Sequence, residues 1–549
     1  MSEPLTGHEA AEAAERCARA LAERPDYPEA ARLLAGLLQR YEFNAEIDIA
    51  PRGLEAAFAF ADVDRQALCN GALALLKGHP PLAAVLVRGR IGGWDEAAGL
   101  LARKGPGLLR DKLFTSALAH GVVADVEIEL LLTALRRRLL LSPALLARRP
   151  VREIACALIR QCLNNEYVFF ADEEERAALN GLNVDPDAMF AGDAAAGRTF
   201  LLWSLYHPFH ETVGLKPRAL DKAPPEPLRE ILRDELDARR SEAAYAASLP
   251  RLTTITDETS CRVAEQYRQD PYPRWLSLQA PEPGSATDRM RGHFPADVLG
   301  ILEGPCDVLV AGAGTGRQAV NSALAYGAGS RVLAIDLSAP SLAYGARMAE
   351  VLGAANLRFS IGDILHLAET ADDFDVIECV GVLHHMANPF EGWRTLIGRL
   401  RPGGLMLIGL YSAVSRRIIE ALSDDPDWPG PGADDDTLRV YRRALLERAP
   451  GDNGFALTES PDFFTKSGFR DLALHVHERQ CTIPEIRDFL AAEGLDFHGF
   501  KLPDETLRAY ADAFPNDGPN GTLDNWWTYE QDNPETFAGM YLFWCRRPS

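Results

Sequence analysis

The sequence predicts an α/β doubly wound sheet that follows an all-α, helical-repeat-like region. Two patterns lead to this fold class. From about residue 300, short apolar runs that end in glycine or an acid alternate with apolar helical patterns. Before about residue 250, apolar residues instead recur every three or four positions. Strands and helices in alternation indicate a parallel sheet with crossover helices, whereas the 3.6-residue period alone indicates packed helices.

The helical region begins with two predicted helices, Ala10–Leu21 and Pro28–Tyr41, which Arg24-Pro25-Asp26 separates. Pro28 suits the first turn of a helix, where the missing N–H has no partner to lose. The pair resembles one tetratricopeptide-type unit, although no repeat of fixed length follows. Further helices are predicted at Asp64–Lys77, Pro81–Arg88, Trp94–Arg103, Asp111–Ala119, Val126–Leu141, Arg152–Asn165 and Glu173–Gly181. Such an array either binds a partner polypeptide or forms a packing scaffold.

A proline-rich connector is predicted at Leu215–Pro227, and a helix follows at Leu228–Ala247. We therefore expect an all-helical, tetratricopeptide-like domain over residues 1–250. A linker and pocket cover over residues 251–290 then leads to a sheet domain over residues 291–549, with C-terminal insertions on its substrate side. Two or three domains are also what a chain of 549 residues is expected to contain.

The sheet domain begins with a strand and a glycine turn, Asp307-Val-Leu-Val-Ala-Gly-Ala-Gly-Thr-Gly-Arg317. The glycines allow a tight turn and a close approach of the backbone to a ligand. The helix that follows directs free N–H groups and the positive end of its dipole to the same place. A second predicted strand, Arg331–Asp336, ends in a carboxylate about 20 residues later, which is the spacing expected for a group that binds ribose hydroxyls. The pattern predicts a nucleoside cofactor at the carboxyl edge of a parallel sheet.

Further strands are predicted at Asn356–Asp363, at Phe374–His385 with its exit loop, and at Leu400–Leu410 after a Pro-Gly-Gly turn. In this order the motifs resemble a Rossmann-like, class I S-adenosylmethionine-dependent methyltransferase. The resemblance rests on the glycine turn, on Asp336 and Asp363, on Asp-Val-Ile-Glu-Cys-Val-Gly-Val-Leu-His-His and on Leu-Arg-Pro-Gly-Gly. It covers residues 255–549 and implies a seven-stranded sheet with an antiparallel last strand, here Phe537–Cys545.

The resemblance also implies a role for each matching residue in binding S-adenosyl-L-methionine. Gly312, Gly314 and Gly316 would line its methionine and ribose, Asp336 would accept both ribose hydroxyls, Leu337 and Ile364 would pack on the adenine, Asp363 would bond the adenine amino group, and Cys379 would border the methyl donor. One position departs from the family. Val310 stands where many members carry an acid, so that contact is absent or is supplied elsewhere.

An extended segment before the sheet is predicted to cover the cofactor. Its sequence is Asp270-Pro-Tyr-Pro-Arg-Trp275, and the two prolines restrict the backbone to an extended shape. Tyr267 and Arg274 are predicted to contact the cofactor or substrate, and a guanidinium is suited to binding a carboxylate. The alternative is an aromatic staple that joins the two domains.

Past the fifth strand, the sequence predicts a loop at Asp424–Asp436, a sixth strand at Phe469–His477 and a helix at Pro484–Glu493. In that strand His475 and His477 would share one face. The segment Asn525–Asp532 either walls a substrate pocket or anchors an insertion to the core through Trp526 and Trp527.

His384 and His385 are the candidate catalytic residues. The sulfonium methyl of the cofactor is already electrophilic, so a base is needed only where the acceptor must lose a proton. Imidazoles titrate in the range that such a transfer needs, and both histidines follow the fourth strand. Ordinary loop structure is the alternative. No Asn-Pro-Pro-Tyr or Pro-Cys segment follows that strand, which disfavours methylation of adenine or glutamine amino groups and of cytosine C5.

Three functions remain open. The first is methyl transfer to a protein or peptide acceptor that the helical domain selects. The second is methyl transfer to a small metabolite or natural product, with the helical part serving homodimer formation or pocket closure. The third is a catalytically silent scaffold, which the presence of all three glycines and of Asp336 and Asp363 disfavours.

The composition limits the classes of binding partner and the cellular compartment that are expected for the protein. The formal net charge of −22 argues against an electrostatic grip on nucleic acid or on an anionic membrane. The nine cysteines form no C-x-x-C pair and have no matching histidine cluster, so neither a disulfide framework nor a metal site is expected. Without a signal segment or an apolar run long enough to span a bilayer, the sequence predicts a cytoplasmic protein.

Overall fold

A computed structural model describes residues 7–41, 49–104, 108, 111–209 and 228–549 of the chain. These residues belong to two compact units. The helical unit contains Met1–Arg240, Arg274–Gln279 and Asp434–Phe469, and the sheet unit contains Ser241–Pro273, Ala280–Ala433 and Arg470–Ser549. The units therefore cross the boundaries expected at residues 250 and 290, because two later segments of the chain pack within the helical unit. The predicted connector Leu215–Pro227 lies outside the described residues.

The helical unit is built from packed helices. Nine of those that the structure describes before residue 210 match helices that the apolar periodicity predicted, with ends shifted by a few residues, whereas the helices at Pro51–Ala57, Pro186–Phe190 and Ala194–Ser204 were not predicted. In chain order the helices are α1 (Gly7–Glu23), α2 (Pro28–Arg40), α3 (Pro51–Ala57), α4 (Arg65–Gly78), α5 (Pro80–Gly92), α6 (Trp94–Lys104), α7 (Lys112–His120), α8 (Val126–Leu141), α9 (Arg149–Asn164), α10 (Glu173–Asn180), α11 (Pro186–Phe190) and α12 (Ala194–Ser204). The later segment adds α21 (Asp435–Leu446) and α22 (Asn453–Ala456). Helix α13 (Leu228–Ser248) has residues in both units.

Aspartate fixes the start of many of these helices. In each case the carboxylate accepts backbone N–H groups of the first turn, which have no partner within the helix. These caps are Asp64, Asp111, Asp125, Asp172, Asp185 and Asp193. The short polar side chains thus set the boundaries, and the apolar faces of the helices then pack on one another.

A buried ion pair joins α8 to α21 inside the helical unit. Glu129 and Arg442 are each 2% exposed by side chain, and two guanidinium nitrogens of Arg442 donate to the two carboxylate oxygens of Glu129 at 2.6 Å. Arg442 Nε also donates to the carbonyl of Phe463 at 2.6 Å. The pair is 313 residues apart in sequence, and it explains why residues 434–469 belong to the helical unit.

The sheet unit has seven strands in the order β3-β2-β1-β4-β5-β7-β6. Their bounds are β1 (Asp307–Ala311), β2 (Arg331–Asp336), β3 (Leu357–Ile361), β4 (Phe374–Val380), β5 (Leu400–Tyr411), β6 (Asp496–Phe500) and β7 (Met540–Arg546). The first five strands are parallel, while β7 pairs antiparallel with both β5 and β6. This confirms the predicted doubly wound sheet of seven strands with an antiparallel last strand. The order reverses between β1 and β4, which is where ligands of such sheets bind.

Helices precede the first of these strands and, with short turns, connect the others. They are α14 (Glu258–Gln269), α15 (Ala286–Met290), α16 (Ala296–Leu299), α17 (Arg317–Tyr326), α18 (Ala339–Leu352), α19 (Pro389–Arg399), α20 (Arg417–Leu422), α23 (Lys466–Ala473), α24 (Ile483–Glu493), α25 (Asp504–Ala513) and α26 (Leu523–Asp532). Trp393, Ile408, Phe500 and Tyr541 are among the buried residues of the core. Within the described part of the chain, every helix is too short or too polar to cross a bilayer.

One prediction past β5 is wrong. The segment predicted as a sixth strand, Phe469–His477, contains the end of α23 and an irregular loop. Its apolar residues Phe469, Leu472 and Ala473 also fit a helical spacing, and the period of two was misleading over so short a run. The sixth strand is instead β6. The predicted loop Asp424–Asp436 is confirmed except for its last two residues, because Asp434 caps α21 through the N–H of Thr437.

Candidate cofactor and acceptor site

The glycine turn between β1 and α17 leaves no room for side chains. Gly312, Gly314 and Gly316 all have positive φ angles, of 73°, 53° and 81°. A Cβ on Gly312 would lie 2.2 Å from Val382 Cγ2, and one on Gly314 would lie 2.6 Å from the carbonyl oxygen of Tyr272. Only glycine meets both demands at once. Gly316 then caps α17, so the first N–H groups of that helix are directed to the edge of the sheet.

Asp336 lies at the end of β2 beside this turn. Its Oδ2 accepts the N–H of Gly314 at 2.9 Å, and its Oδ1 accepts the N–H of Ser338 at 2.8 Å. Burial raises the pKa of Asp336, and the N–H groups of Ser338 and Gly314 oppose that shift. A carboxylate has about four acceptor positions, so each oxygen keeps a lone pair for a hydroxyl donor. The side chain is thus oriented by the backbone and still able to bind a ligand.

Asp363 ends the next strand over and is 2% exposed. Its Oδ1 accepts the N–H of Leu365 at 3.0 Å, while its buried Oδ2 has no hydrogen-bond partner. A buried acceptor without a donor is costly, because it has lost its water without replacement. An amino group of a ligand would satisfy it, and the adenine amino group is such a donor. This orphaned oxygen fits the nucleoside that the sequence predicts.

The three apolar candidates differ in what they offer a ligand. Leu337 is partly exposed beside Asp336, whereas Ile364 is 6% exposed and follows Asp363. Cys379 is 0% exposed and its side chain packs in the core, with a thiol pKa that burial raises. Its thiol therefore faces protein, and only the backbone of the strand end can border a ligand there.

The two candidate catalytic histidines have different surroundings. His384 is fully buried, stacks on Tyr411 with ring centroids 3.7 Å apart, and has no hydrogen-bond partner on either nitrogen. Burial lowers the pKa of His384 well below its ordinary value. A charged imidazole is strongly disfavoured there, and the catalytic role of His384 stays a prediction.

His385 has a defined proton arrangement. Its Nδ1 lies 2.9 Å from the carbonyl oxygen of His477. Because a carbonyl only accepts, Nδ1 carries the proton and Nε2 keeps its lone pair. Burial lowers the pKa of His385, while the nearby carboxylates of Asp471 and Glu478 raise it. His385 therefore meets the geometric requirement for a proton acceptor.

A cluster of polar side chains surrounds His385. The ring of His475 stacks on it at 3.7 Å, and the ring of Tyr267 approaches edge-on at 6.4 Å. The Tyr267 hydroxyl donates to Asp471 Oδ1 at 2.6 Å and lies 3.2 Å from His475 Nε2. Burial, followed by Asp471, raises the pKa of Tyr267, so it stays a phenol. We call His385, His475, Tyr267 and Asp471 the histidine cluster.

Potential ligand atoms of His385, Asp471 and His475 lie within 4.8 Å of one another, close enough to suggest a cation site. The stacking of the His385 and His475 rings argues against a cation site. Two nearly parallel imidazoles, with planes inclined by 25°, direct their in-plane lone pairs side by side rather than toward one point. His475 Nδ1 also accepts the N–H of His477 at 3.1 Å. A histidine that binds a metal through one ring nitrogen instead donates the proton on its other ring nitrogen to an acceptor. This arrangement suits proton transfer better than metal binding.

The predicted cover contributes two kinds of contact. The carbonyl of Tyr272 accepts the N–H of Thr315 at 3.1 Å, and that of Pro273 accepts its hydroxyl at 2.6 Å, so the extended segment lies against the glycine turn. Arg274 belongs to the helical unit, where its guanidinium donates to the carbonyl of Leu163 at 3.4 Å. Its predicted contact with the cofactor stays a prediction.

Sequence reasoning missed Asp471. It was placed in a predicted strand, and no motif surrounds it. Its approach to Tyr267 spans 204 residues, a pairing that local patterns do not encode. At Asn525–Asp532 the anchoring alternative fits Trp526, which is 1% exposed and stacks on Tyr510 at 3.6 Å.

Comparison with known proteins identifies one part of the sheet unit. Residues 303–434 match a family model described as a methyltransferase domain. An uncharacterized protein of Synechococcus sp. is 26% identical over 275 residues, which are 48% of this chain and 63% of that protein. The chain thus spans less than two thirds of that relative's length.

Solved structures add similarities at low identity. PKMT2 from Rickettsia typhi, in complex with AdoHcy, is 15% identical, with a TM-score of 0.34 over 50% of this chain and 54% of that one. Magnesium protoporphyrin IX methyltransferase from Synechocystis PCC 6803, with bound SAH, is 15% identical, with a TM-score of 0.27 over 58% of this chain and 99% of that one.

Proposed function

We propose that this chain transfers a methyl group from S-adenosyl-L-methionine to an acceptor held beside the histidine cluster. Its C-terminal half contains a class I S-adenosylmethionine-dependent methyltransferase domain. The observation that carries the proposal is the pair of acids at neighbouring strand ends. Asp336 keeps lone pairs on both oxygens, and Asp363 has a buried oxygen without a donor.

Residues at the carboxyl edge of the sheet would hold the cofactor. Asp336 would accept the two ribose hydroxyls, and Asp363 would accept the adenine amino group through Oδ2. The glycine turn would let the methionine part approach the backbone, with the N-terminus of α17 beside its carboxylate. Leu337 and Ile364 would pack on the adenine ring.

The bound cofactor supplies an electrophilic methyl group, and the protein must do the rest. It holds the acceptor atom in line with that methyl and keeps water away. His385 would take the acceptor's proton on Nε2, because Nδ1 is committed to the carbonyl of His477. The carboxylate of Asp471 would then favour the charged imidazolium over the neutral ring.

We propose a protein or peptide acceptor that the helical unit selects. The large all-helical unit supports this, because such arrays offer extended surfaces for polypeptides. A small metabolite is the second candidate, and the burial of His385 and Asp471 favours it, since a deep site suits a compact acceptor. A silent scaffold would have no use for the orphaned oxygen of Asp363.

Incubation of the full chain with a cell extract and methyl-labelled S-adenosylmethionine tests the proposal. We expect label to appear in acceptor molecules, and separation into protein and small-molecule fractions decides between the two acceptor classes. The same chain with Asp336→Ala is the control and should transfer far less label, because it binds the cofactor more weakly. Absence of transfer by the wild-type chain, together with absence of S-adenosylhomocysteine binding, would refute methyltransferase activity.

A further inference from the structure

Helix α14 contacts both halves of the site through one residue, Tyr267. The backbone carbonyl of Tyr267 accepts the hydroxyl of Ser338 at 2.9 Å. Its phenol hydroxyl donates to Asp471 Oδ1 at 2.6 Å. The two ends of this residue therefore belong to different networks, one beside the predicted ribose position and one beside His385.

On the ribose side, Ser338 connects Tyr267 to Asp336. The Ser338 N–H donates to Asp336 Oδ1 at 2.8 Å, while its hydroxyl donates to the Tyr267 carbonyl. The same hydroxyl oxygen accepts from Ser341, which lies in the first turn of α18. A shift of α14 would thus move Ser338, and with it the donor that orients the Asp336 carboxylate.

On the other side, the Tyr267 hydroxyl fixes two members of the histidine cluster. Because it donates its own proton to Asp471, the hydroxyl oxygen can only accept from His475 Nε2, which lies 3.2 Å away. His475 Nε2 must therefore carry a proton. The N–H of His477 donates to His475 Nδ1 at 3.1 Å, which is consistent with that tautomer. His475 in turn stacks on His385. The phenol thereby positions two of the groups that lie near His385, namely Asp471 and His475.

Two neighbours of Tyr267 on α14 hold the same loop. Gln266 Oε1 accepts the N–H of Val476 at 3.0 Å, and Arg262 donates to the carbonyl of Val476 at 3.0 Å. These contacts bracket the peptide between His475 and His477. The position of this loop therefore follows that of α14. Because His477 in the loop supplies the carbonyl that fixes the His385 tautomer, a shift of α14 would also reach His385.

We propose that Tyr267 is a positioning residue that couples cofactor binding at Asp336 to the arrangement of the histidine cluster. Ribose hydroxyls that order Asp336 would also order Ser338 and α14, and the Tyr267 hydroxyl would transmit that order to Asp471 and His475. His385, the proposed proton acceptor, is then held in position when the methyl donor, S-adenosyl-L-methionine, is bound. This inference rests on the proposed function, since it takes Asp336 as the ribose ligand.

Hydrogen exchange of the full-length chain, with and without S-adenosylhomocysteine, tests the coupling without knowledge of the acceptor. In the wild type we expect ligand to slow exchange both at the glycine turn, residues 311–317, and at the distant segment 470–478. In Tyr267→Phe, which loses only the hydroxyl, the turn should still be protected, while the protection of residues 470–478 should largely disappear. The variant Asp471→Asn should behave in the same way.

Tyr510→Phe is the matched control. It also removes a phenol that donates to a carboxylate, at 2.5 Å to Asp517, but it lies on α25. Both regions should be protected in that variant as in the wild type. Equal protection of residues 470–478 in Tyr267→Phe and the wild type would overturn the proposal. So would a loss of ligand affinity in Tyr267→Phe as large as that in Asp336→Ala, because the hydroxyl would then serve the cofactor itself, whereas reciprocal coupling alone gives a smaller change.

A failure of the proposed function, on which this inference rests, would give a different result. If the wild-type chain binds no S-adenosylhomocysteine, the proposed function falls before the coupling is reached. Once an acceptor is identified by the labelling experiment, Tyr267→Phe should lower kcat roughly 10- to 100-fold at an unchanged KM for the cofactor. A purely structural role would instead lower both affinity and turnover, and an unchanged kcat would contradict the proposal.

Discussion

The Glu129–Arg442 pair of the helical unit and the carboxylates at the strand ends of the sheet unit differ in how their charges are partnered. In the helical unit, Glu129 is matched by the guanidinium of Arg442, and both side chains are 2% exposed. In the sheet unit, Asp336 and Asp363 are bound by backbone N–H groups and keep acceptor capacity, which for Asp363 includes an oxygen without any donor. A buried charge with a complete partner set stabilises a fold. One with unused acceptors is arranged to bind something else.

The glycines show the same difference. Gly53 in α3 makes room for a neighbouring helix, since a Cβ there would lie 1.7 Å from the carbonyl oxygen of Ala18 on α1. Gly314 in the sheet unit has a positive φ and makes room for the backbone carbonyl of Tyr272, beside the proposed cofactor site. One glycine serves helix packing and the other serves a turn. Substitutions at such positions should therefore affect stability in one unit and binding in the other.

The largest effect is expected from separating the buried ion pair. Arg442→Met leaves the Glu129 carboxylate buried without a partner and should cost about 3–5 kcal/mol of stability. Hydrogen exchange of α8 and α21 would report it within the helical unit. Arg443→Met on the same helix is the control, because its pair with Glu447 is exposed and worth about 0.5 kcal/mol or less. Equal effects of the two changes would refute the structural role of the pair.

A fragment of residues 255–549 is a poor probe of the sheet unit for the same reason. It would carry Arg442 without Glu129, and with it a segment that packs in the helical unit. Point substitutions in the full chain compare the units more cleanly.

The sheet unit should respond through binding. Asp336→Ala removes a carboxylate that we propose accepts both ribose hydroxyls, so the free energy of S-adenosylhomocysteine binding should weaken by about 2–4 kcal/mol, or roughly 30- to 1000-fold. Calorimetric titration measures it. Asp307→Asn is the control: Asp307 starts β1, at the opposite edge of the sheet, and pairs with Arg331 and Arg401. Unchanged affinity in Asp336→Ala would contradict the site.

Gly53→Ala should destabilise the helical unit by about 1–3 kcal/mol, because α1 and α3 must separate to admit the methyl group. Gly197→Ala on α12 offers a matched comparison. A Cβ there meets nothing within 4 Å, so the change should stabilise the unit by about 0.5–1 kcal/mol through helix propensity. Chemical denaturation followed by hydrogen exchange distinguishes the two. Neither substitution should alter cofactor affinity.

The smallest expected effect is a pH dependence of the helical unit. Burial, followed by the charges of Arg65 and Arg160, lowers the pKa of His120 from 6.5 to about 4. The unfolded imidazole takes up a proton near 6.5, so between these values the unfolded state binds more protons. Stability is complete above about pH 6.5 and falls as the pH drops toward 4. The two pKa values alone imply a loss of about 3 kcal/mol, but His120 is partly exposed and water screens its charge, so we expect roughly 1–2 kcal/mol. His120→Gln should flatten this dependence, and an unchanged slope would exclude His120 as its source.

The predictable part of the fold lies in features that act locally. The glycine turn, the acids at Asp336 and Asp363, and strands β1 to β5 all follow from runs of fewer than about 12 residues. Helix starts were likewise predictable, because an aspartate cap and the N–H groups that it accepts are neighbours in sequence. The structure of segment 469–477 was not predictable, because its few apolar residues fit both the strand period and the helix period. The packing of α23 decided between the two.

The sequence by itself determined the parallel sheet and the nucleoside-binding edge, because a strand, its turn and its terminal acid act through one stretch of backbone. The tertiary structure alone decided that Tyr267, Asp471 and His475 gather around His385, and that residues 434–469 pack with the helical unit. These contacts join residues up to 313 positions apart. Their formation depends on how whole elements pack, which no local period or spacing records.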